Sequence, residues 1–164
     1  MALNYLEALS EYFPGVEAYC TGDATDYTSL VFTKGSVTQA DMDAAMLQGI
    51  KVAKIIEMSQ ACEAAIVNGF VSSALGVPKV YDSDRDSQMN LIGVAAMNSD
   101  YYYSVRDPDS MVKTYELHTA AQIKQVLADG AAIKLGHMSL FNDLRNQIYA
   151  MTTIEEVNAV TWPE

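Results

Sequence analysis

Basic residues are scarce in this chain. Ten lysines and arginines stand against 21 aspartates and glutamates over 164 residues, a formal net charge of −11. Binding to a phosphate backbone or an anionic membrane surface needs clustered cations, so neither nucleic acid nor membrane is expected as a partner. The balance suits a soluble, self-repelling protein or one with a basic partner. Cysteine is scarcer still: Cys20 and Cys62 fit no metal-ligand or redox spacing and read as small buried hydrophobes of a protein made in a reducing cytoplasm. No apolar run reaches the ~18 residues of a membrane span. The opening MALNYLEALSEYF has no basic n-region and is interrupted by acids, so it is not expected to act as a signal peptide. Nucleophile elbows, phosphate loops, dinucleotide fingerprints and H-E-x-x-H are missing. The two histidines, His118 and His137, stand apart in the sequence and read as structural residues. No enzyme, metal or cofactor is therefore expected. The remote alternative is a small metal-dependent enzyme built on the acidic loop at residues 82 to 86.

What is present is patterned. Leu3, Leu6, Leu9 and Phe13 recur near helical spacing before Pro14-Gly15 stops them. VEAYCTG and YTSLVFT then read as two strands around a DATD turn. A helix and a hairpin of this size need further cover, from the rest of the chain, a twin copy or a partner. The longest helical stretch begins at Thr38, with Asp41 completing a capping-box pattern. Its apolar stripe reads Val52, Ile55, Ile56, Ser59, Cys62 and Ile66, and many of its other residues are small. Two short strands follow around residues 70 to 81, with Pro78 relegating the second to an edge or an irregular arm. DYYYSVRDPDSMVKTYELH is the clearest hairpin, turning at DPDS. Tyr101, Tyr103 and Val105 share one side of it, and Met111, Tyr115 and Leu117 alternate on the return strand; Tyr102 faces out. A helix beginning after Thr119 follows, with Gly130 and Gly136 as points where it can kink or split. Thr153 and Glu156 form a capping box for a last short helix.

The fold class is α+β, helix-dominated: a small N-terminal helix-plus-hairpin unit, a long central helix and one or two β-hairpins. The expected division is residues 1–37 as an attachment unit and 38–164 as a helical domain with hairpins. There is no internal repeat and no low-complexity linker.

The stretch YDSDRDSQMN places Asp82, Asp84 and Asp86 at alternate positions, as an EF-hand loop does. Counted from Asp82, however, the glycine position is Ser87 and the bidentate glutamate position is Gly93. The run reads instead as the start of a helix capped by Ser83, Asp84 or Asp86.

Around it lies a wider pattern: Gly69-Phe70, Ser72, Leu75-Gly76, Tyr81, a polar turn, then Gln88, Asn90 and Leu91. With ELHTAAQIKQVLADGAA and the closing IYAMTTIEEVNAV, it resembles an uncharacterised C-terminal domain recurrent in bacteriophage tail-fibre, tail-fibre-assembly and other tail proteins. The resemblance covers roughly residues 45 to 161. This chain departs from the pattern at Ser87, where the family usually has Asp, and at Tyr101 to Tyr103, where it often has Trp. The resemblance implies a structural virion protein of the tail or baseplate that connects or anchors fibres, located in the virion and in host cytoplasm during assembly. The alternative it implies is a fibre-assembly chaperone not retained in the particle. Expected partners are other tail or tail-fibre proteins and further copies of the chain. Leu6, Leu9, Phe13 and Tyr102 are the expected interface residues.

Overall fold

A computed structural model describes residues 4–110 and 112–163. Leu3 and Met111, counted above in apolar patterns, lie outside the described residues. In order, the chain forms α1 (Tyr5–Tyr12), β1 (Glu17–Cys20), β2 (Leu30–Lys34), α2 (Gln39–Val67), β3 (Phe70–Ser72), β4 (Lys79–Tyr81), α3 (Arg85–Met97), β5 (Tyr101–Val105), β6 (Thr114–His118), α4 (Ala120–Ala150) and α5 (Ile154–Asn158). This is a helix-dominated α+β chain with a long central helix and three antiparallel two-stranded hairpins. Its contacts divide into two compact units, Met1–Ile56 with Gln147–Thr161, and Glu57–Asn146 with Trp162–Glu164.

In the first unit, Asn4 caps α1 by accepting the Glu7 N–H at 2.8 Å. Tyr5, Ala8 and Leu9 of α1 are buried with Leu30, Val37, Met42 and Met46. The apolar residues of the N-terminal segment are thus covered by the first turns of α2 in the same chain. A division between residues 37 and 38 would pass through this core. Thr38 accepts the Asp41 N–H at 3.2 Å, which caps α2. Lys51 is almost fully buried, and its ammonium donates to the Tyr149 carbonyl at 3.0 Å. A cation against the last carbonyls of a helix complements the helix dipole. Thr153 and Glu156 form the expected capping box of α5.

In the second unit, one isolated bridge joins the β3–β4 and β5–β6 hairpins. Val80 and Arg106 exchange both backbone hydrogen bonds, Val80 N–H to Arg106 carbonyl at 2.8 Å and Arg106 N–H to Val80 carbonyl at 3.1 Å. This isolated bridge sets β4 beside the end of β5 without making one continuous sheet of the two hairpins. β4 is an edge strand of its two-stranded sheet, as expected from Pro78, with one isolated bridge on its outer side at Val80. Pro78 falls just before the strand, where its missing N–H removes no ladder bond. Phe70, Tyr81 and Val105 face inward and pack with Leu91 and Val94 of α3 and Ile123 and Val126 of α4. α4 runs unbroken through Gly130 and Gly136. Gly130 serves packing: a Cβ there would lie 2.7 Å from the Phe70 ring. Gly69 adopts φ +96° with the Tyr81 carbonyl 2.7 Å from where its Cβ would be, a position open to glycine alone.

The stripe expected on α2 is only partly the buried one. Met42, Met46, Met58 and Cys62 are buried, whereas Val52 and Ile56 are half exposed at 55% and 53%. α2 is apolar on more than one side, and hydropathy alone favoured the β-branched positions over the methionines that fill the cores. Asp placed at a buried apolar position leaves a charge without solvent or partner. Met58→Asp is accordingly expected to cost several kcal/mol, at about 3–5, and to abolish cooperative unfolding in urea. Ile56→Asp is expected to stay within about 1 kcal/mol of the parent. Equal losses in the two variants would show that Ile56 is covered.

Candidate functional site

The acidic run is committed to structure. The Asp84 carboxylate accepts the Asp86 and Ser87 N–H groups, both at 3.0 Å, and the Ser87 hydroxyl at 2.6 Å. These bonds, that of Ser87 first, hold its carboxyl below the usual carboxylate range. Asp82 pairs with Lys113 at 2.6 Å. Gln88 donates to the Ser83 carbonyl at 2.7 Å, tying the turn to the first coil of α3. Among the described residues no group of three acidic, histidine or cysteine side chains could hold a metal ion.

Directly behind this turn, Tyr81 and His118 are both fully buried. The Tyr81 hydroxyl lies 2.9 Å from His118 Nε2, and His118 Nδ1 lies 2.8 Å from the Glu116 carbonyl. A carbonyl can only accept, so Nδ1 carries the hydrogen. In the neutral ring Nε2 then accepts from the Tyr81 hydroxyl. The Tyr81 ring stacks on Phe70 at 5.6 Å and on Tyr103 at 6.4 Å. Tyr103 donates to the Ser87 carbonyl at 3.2 Å, which anchors β5 to the start of α3. Lys79 bridges Asp107 at 2.9 Å and Glu116 at 2.6 Å across the β4–β5 and β6 ends. Those two hydrogen bonds, to Glu116 first, push its ammonium up.

In front of the turn is a groove of about 460 Å³, walled by Asp82, Asn90, Tyr101, Tyr102, Lys113 and Tyr115. β4 ends at Tyr81, and among the described residues no strand pairs with the side of β5 away from β6 from Ser104 to Tyr101. Sheet register puts Tyr102, Ser104, Tyr115 and Leu117 on the outer face, with Tyr102 opposite Leu117 and Ser104 opposite Tyr115. Tyr102, Tyr115 and Leu117 are 60%, 72% and 51% exposed.

The expected interface residues divide. Tyr102 lies on this open face. Leu9 is closed inside the core of the first unit, and Leu6 and Phe13 pack half-buried against it. Tyr115 and Leu117, read in the sequence as strand residues, join Tyr102 because cross-strand pairing brings them to its face. Lys79 and the Tyr81–His118 pair carried no sequence signal beyond their alternation in short strands.

One family model matches residues 49–161, that of a domain of unknown function (DUF4376). The chain belongs to the DUF4376 family. The match takes in both hairpins of the second unit, the groove and α5, and begins inside α2. The expected resemblance to an uncharacterised domain over residues 45 to 161 covers nearly the same segment. No curated protein and no solved structure matches the chain.

Burial pushes the hydroxyls of Tyr81 and Tyr103 up to about 12, reinforced by Glu116 at Tyr81 and by Asp82 and Asp84 at Tyr103. Between the ordinary tyrosine value of about 10 and these values, the folded chain keeps protons that the unfolded chain has lost. Stability therefore falls as pH rises from about 10 through 12. Of the ten tyrosines, Tyr81 and Tyr103 are expected to ionise last in an absorbance titration of the folded protein, and Tyr81→Phe to remove one late step. Ionisation of all ten together near pH ~10 without unfolding would contradict the burial of this pair.

Proposed function

We propose that the protein is a structural component of a bacteriophage tail or baseplate, connecting or anchoring tail fibres. The observation that carries this reading is an exposed contact surface, Tyr102, Tyr115 and Leu117, in the segment that resembles the phage-tail domain. Tyrosine is favoured at contacts, and apolar patches left open on a folded chain mark interaction sites. The long helices support the same reading. Val52 and Ile56 of α2 and Ile133, Leu135 and Met138 of α4 are about half exposed or more, suited to contacts with further copies or with other tail proteins. The protein then resides in the virion tail, and in host cytoplasm during assembly. The groove and its surroundings serve binding; no catalytic step is assigned to them.

A second reading is a fibre-assembly chaperone that leaves before the particle is complete. It is favoured by exposed methionines, Met89, Met97 and Met138 at 68%, 60% and 49%. Flexible thioether side chains adapt to partners that have not reached their final form.

Proteomics of purified particles separates these. The connector is expected at fixed stoichiometry with the fibre protein and resistant to salt washing. Absence from particles, with co-purification on fibre protein during infection, would replace it by the chaperone. Absence from both would overturn the tail assignment.

A further inference from the structure

The edge of β5 that faces the groove has a defined hydrogen-bonding pattern. Arg106 directs its N–H and carbonyl toward β4, where both are paired with Val80. The register of β5 with β6 is regular from Tyr101 to Val105. Backbone groups alternate along a strand, so the N–H and carbonyl of Ser104 and Tyr102 point the same way as those of Arg106. β4 has ended by then, at Tyr81, and Asp84 caps α3. Among the described residues, no backbone or side-chain group is hydrogen-bonded to the Ser104 or Tyr102 backbone on that side. The two residues present two donors and two acceptors to a groove of about 460 Å³. The tyrosines alternate beside it, Tyr101 and Tyr103 toward one face and Tyr102 toward the other.

We propose that this edge of β5 receives an extended segment of a partner protein as an added strand, and that the segment carries lysine or arginine beside its strand residues. A second strand is the structure that satisfies donors and acceptors at two-residue spacing, and strand addition to an open edge is a known mode of peptide recognition. Charge selects the partner. Asp82 lines the groove and pairs with Lys113 at 2.6 Å, Asp84 adjoins it through its bond to the lining residue Ser87, and the chain as a whole carries −11. A second copy would bring the same acidic turn against this one, so a different, basic-flanked chain fits better. The proposal stands on the strand geometry and does not require the tail reading.

The test uses the full-length protein and a library of random peptides of about seven residues, an ordinary strand with its flanks. Peptides selected on the immobilised protein are expected to be rich in β-branched residues and to carry terminal lysine or arginine. Each should slow hydrogen exchange at the Tyr102 and Ser104 amides by about tenfold or more at saturation, as burial in a ladder does. Ser104→Pro removes one edge donor at a position where an edge strand accepts proline, and is expected to abolish selection while the remaining β5–β6 amides keep their protection. Three results would overturn the proposal: no peptide is selected; the selected peptides are not basic; or they leave exchange at Tyr102 and Ser104 unchanged. Slowing of those two amides with protein concentration alone would overturn it in favour of a second copy.

Discussion

Tyr81 is the side chain on which the packing of the two hairpins of the second unit depends. It stands on β4, pairs in register with Phe70 of β3, stacks on Tyr103 of β5 and meets His118 of β6 through its hydroxyl. One residue thereby touches every strand. Its burial is complete, and a buried hydroxyl without a partner costs about 1–3 kcal/mol. The His118 ring supplies the partner, and the Glu116 carbonyl satisfies the other ring nitrogen. The chain of bonds leaves neither ring nitrogen nor the hydroxyl unmatched, so a polar pair in an apolar core adds specificity to the packing instead of opposing it. With these rings in place, β4 and β5 are brought close enough for Val80 and Arg106 to pair.

That pairing is short for a local reason. Pro78 precedes β4 and the acidic turn follows it, so the strand has room for three residues. Asp84 then starts α3, and α3 returns Leu91 and Val94 to the same core as Tyr81. The helix start and the open edge of β5 are two consequences of one turn. Of the acidic residues whose spacing resembles the start of an EF-hand loop, Asp84 acts as a helix cap and Asp82 as an ion-pair partner of Lys113. Binding surface and core are therefore coupled: loosening Tyr103 from Tyr81 or from the Ser87 carbonyl would move the β5 edge as well.

The sequence disclosed the local elements well. The caps at Thr38, Asp84 and Thr153, the DPDS turn, closed by Ser110 N–H to Asp107 carbonyl at 3.0 Å, and the outward Tyr102 follow from side-chain chemistry within a few residues. What sequence did not disclose depends on long-range contact. The union of two hairpins rests on one residue pair 26 positions apart, Val80 and Arg106. Gly130 reads as a helix weakness until Phe70 is seen against it. Lys51 is buried because its ammonium is held by the Tyr149 carbonyl, 98 positions away in sequence. The buried side of α2 could not be chosen from a helix apolar on several sides. Of the candidate site, Tyr102 was legible from alternation, whereas the groove required knowing where β4 departs.

The hydrogen placement on His118 tests the central interaction most directly. Nitrogen-15 NMR of the imidazole in the folded protein at neutral pH distinguishes the tautomers. The account predicts a hydrogen on Nδ1, bonded to the Glu116 carbonyl, and in the neutral ring Nε2 as acceptor from the Tyr81 hydroxyl. A hydrogen on Nε2 alone, or a ring exchanging freely between tautomers, would contradict it.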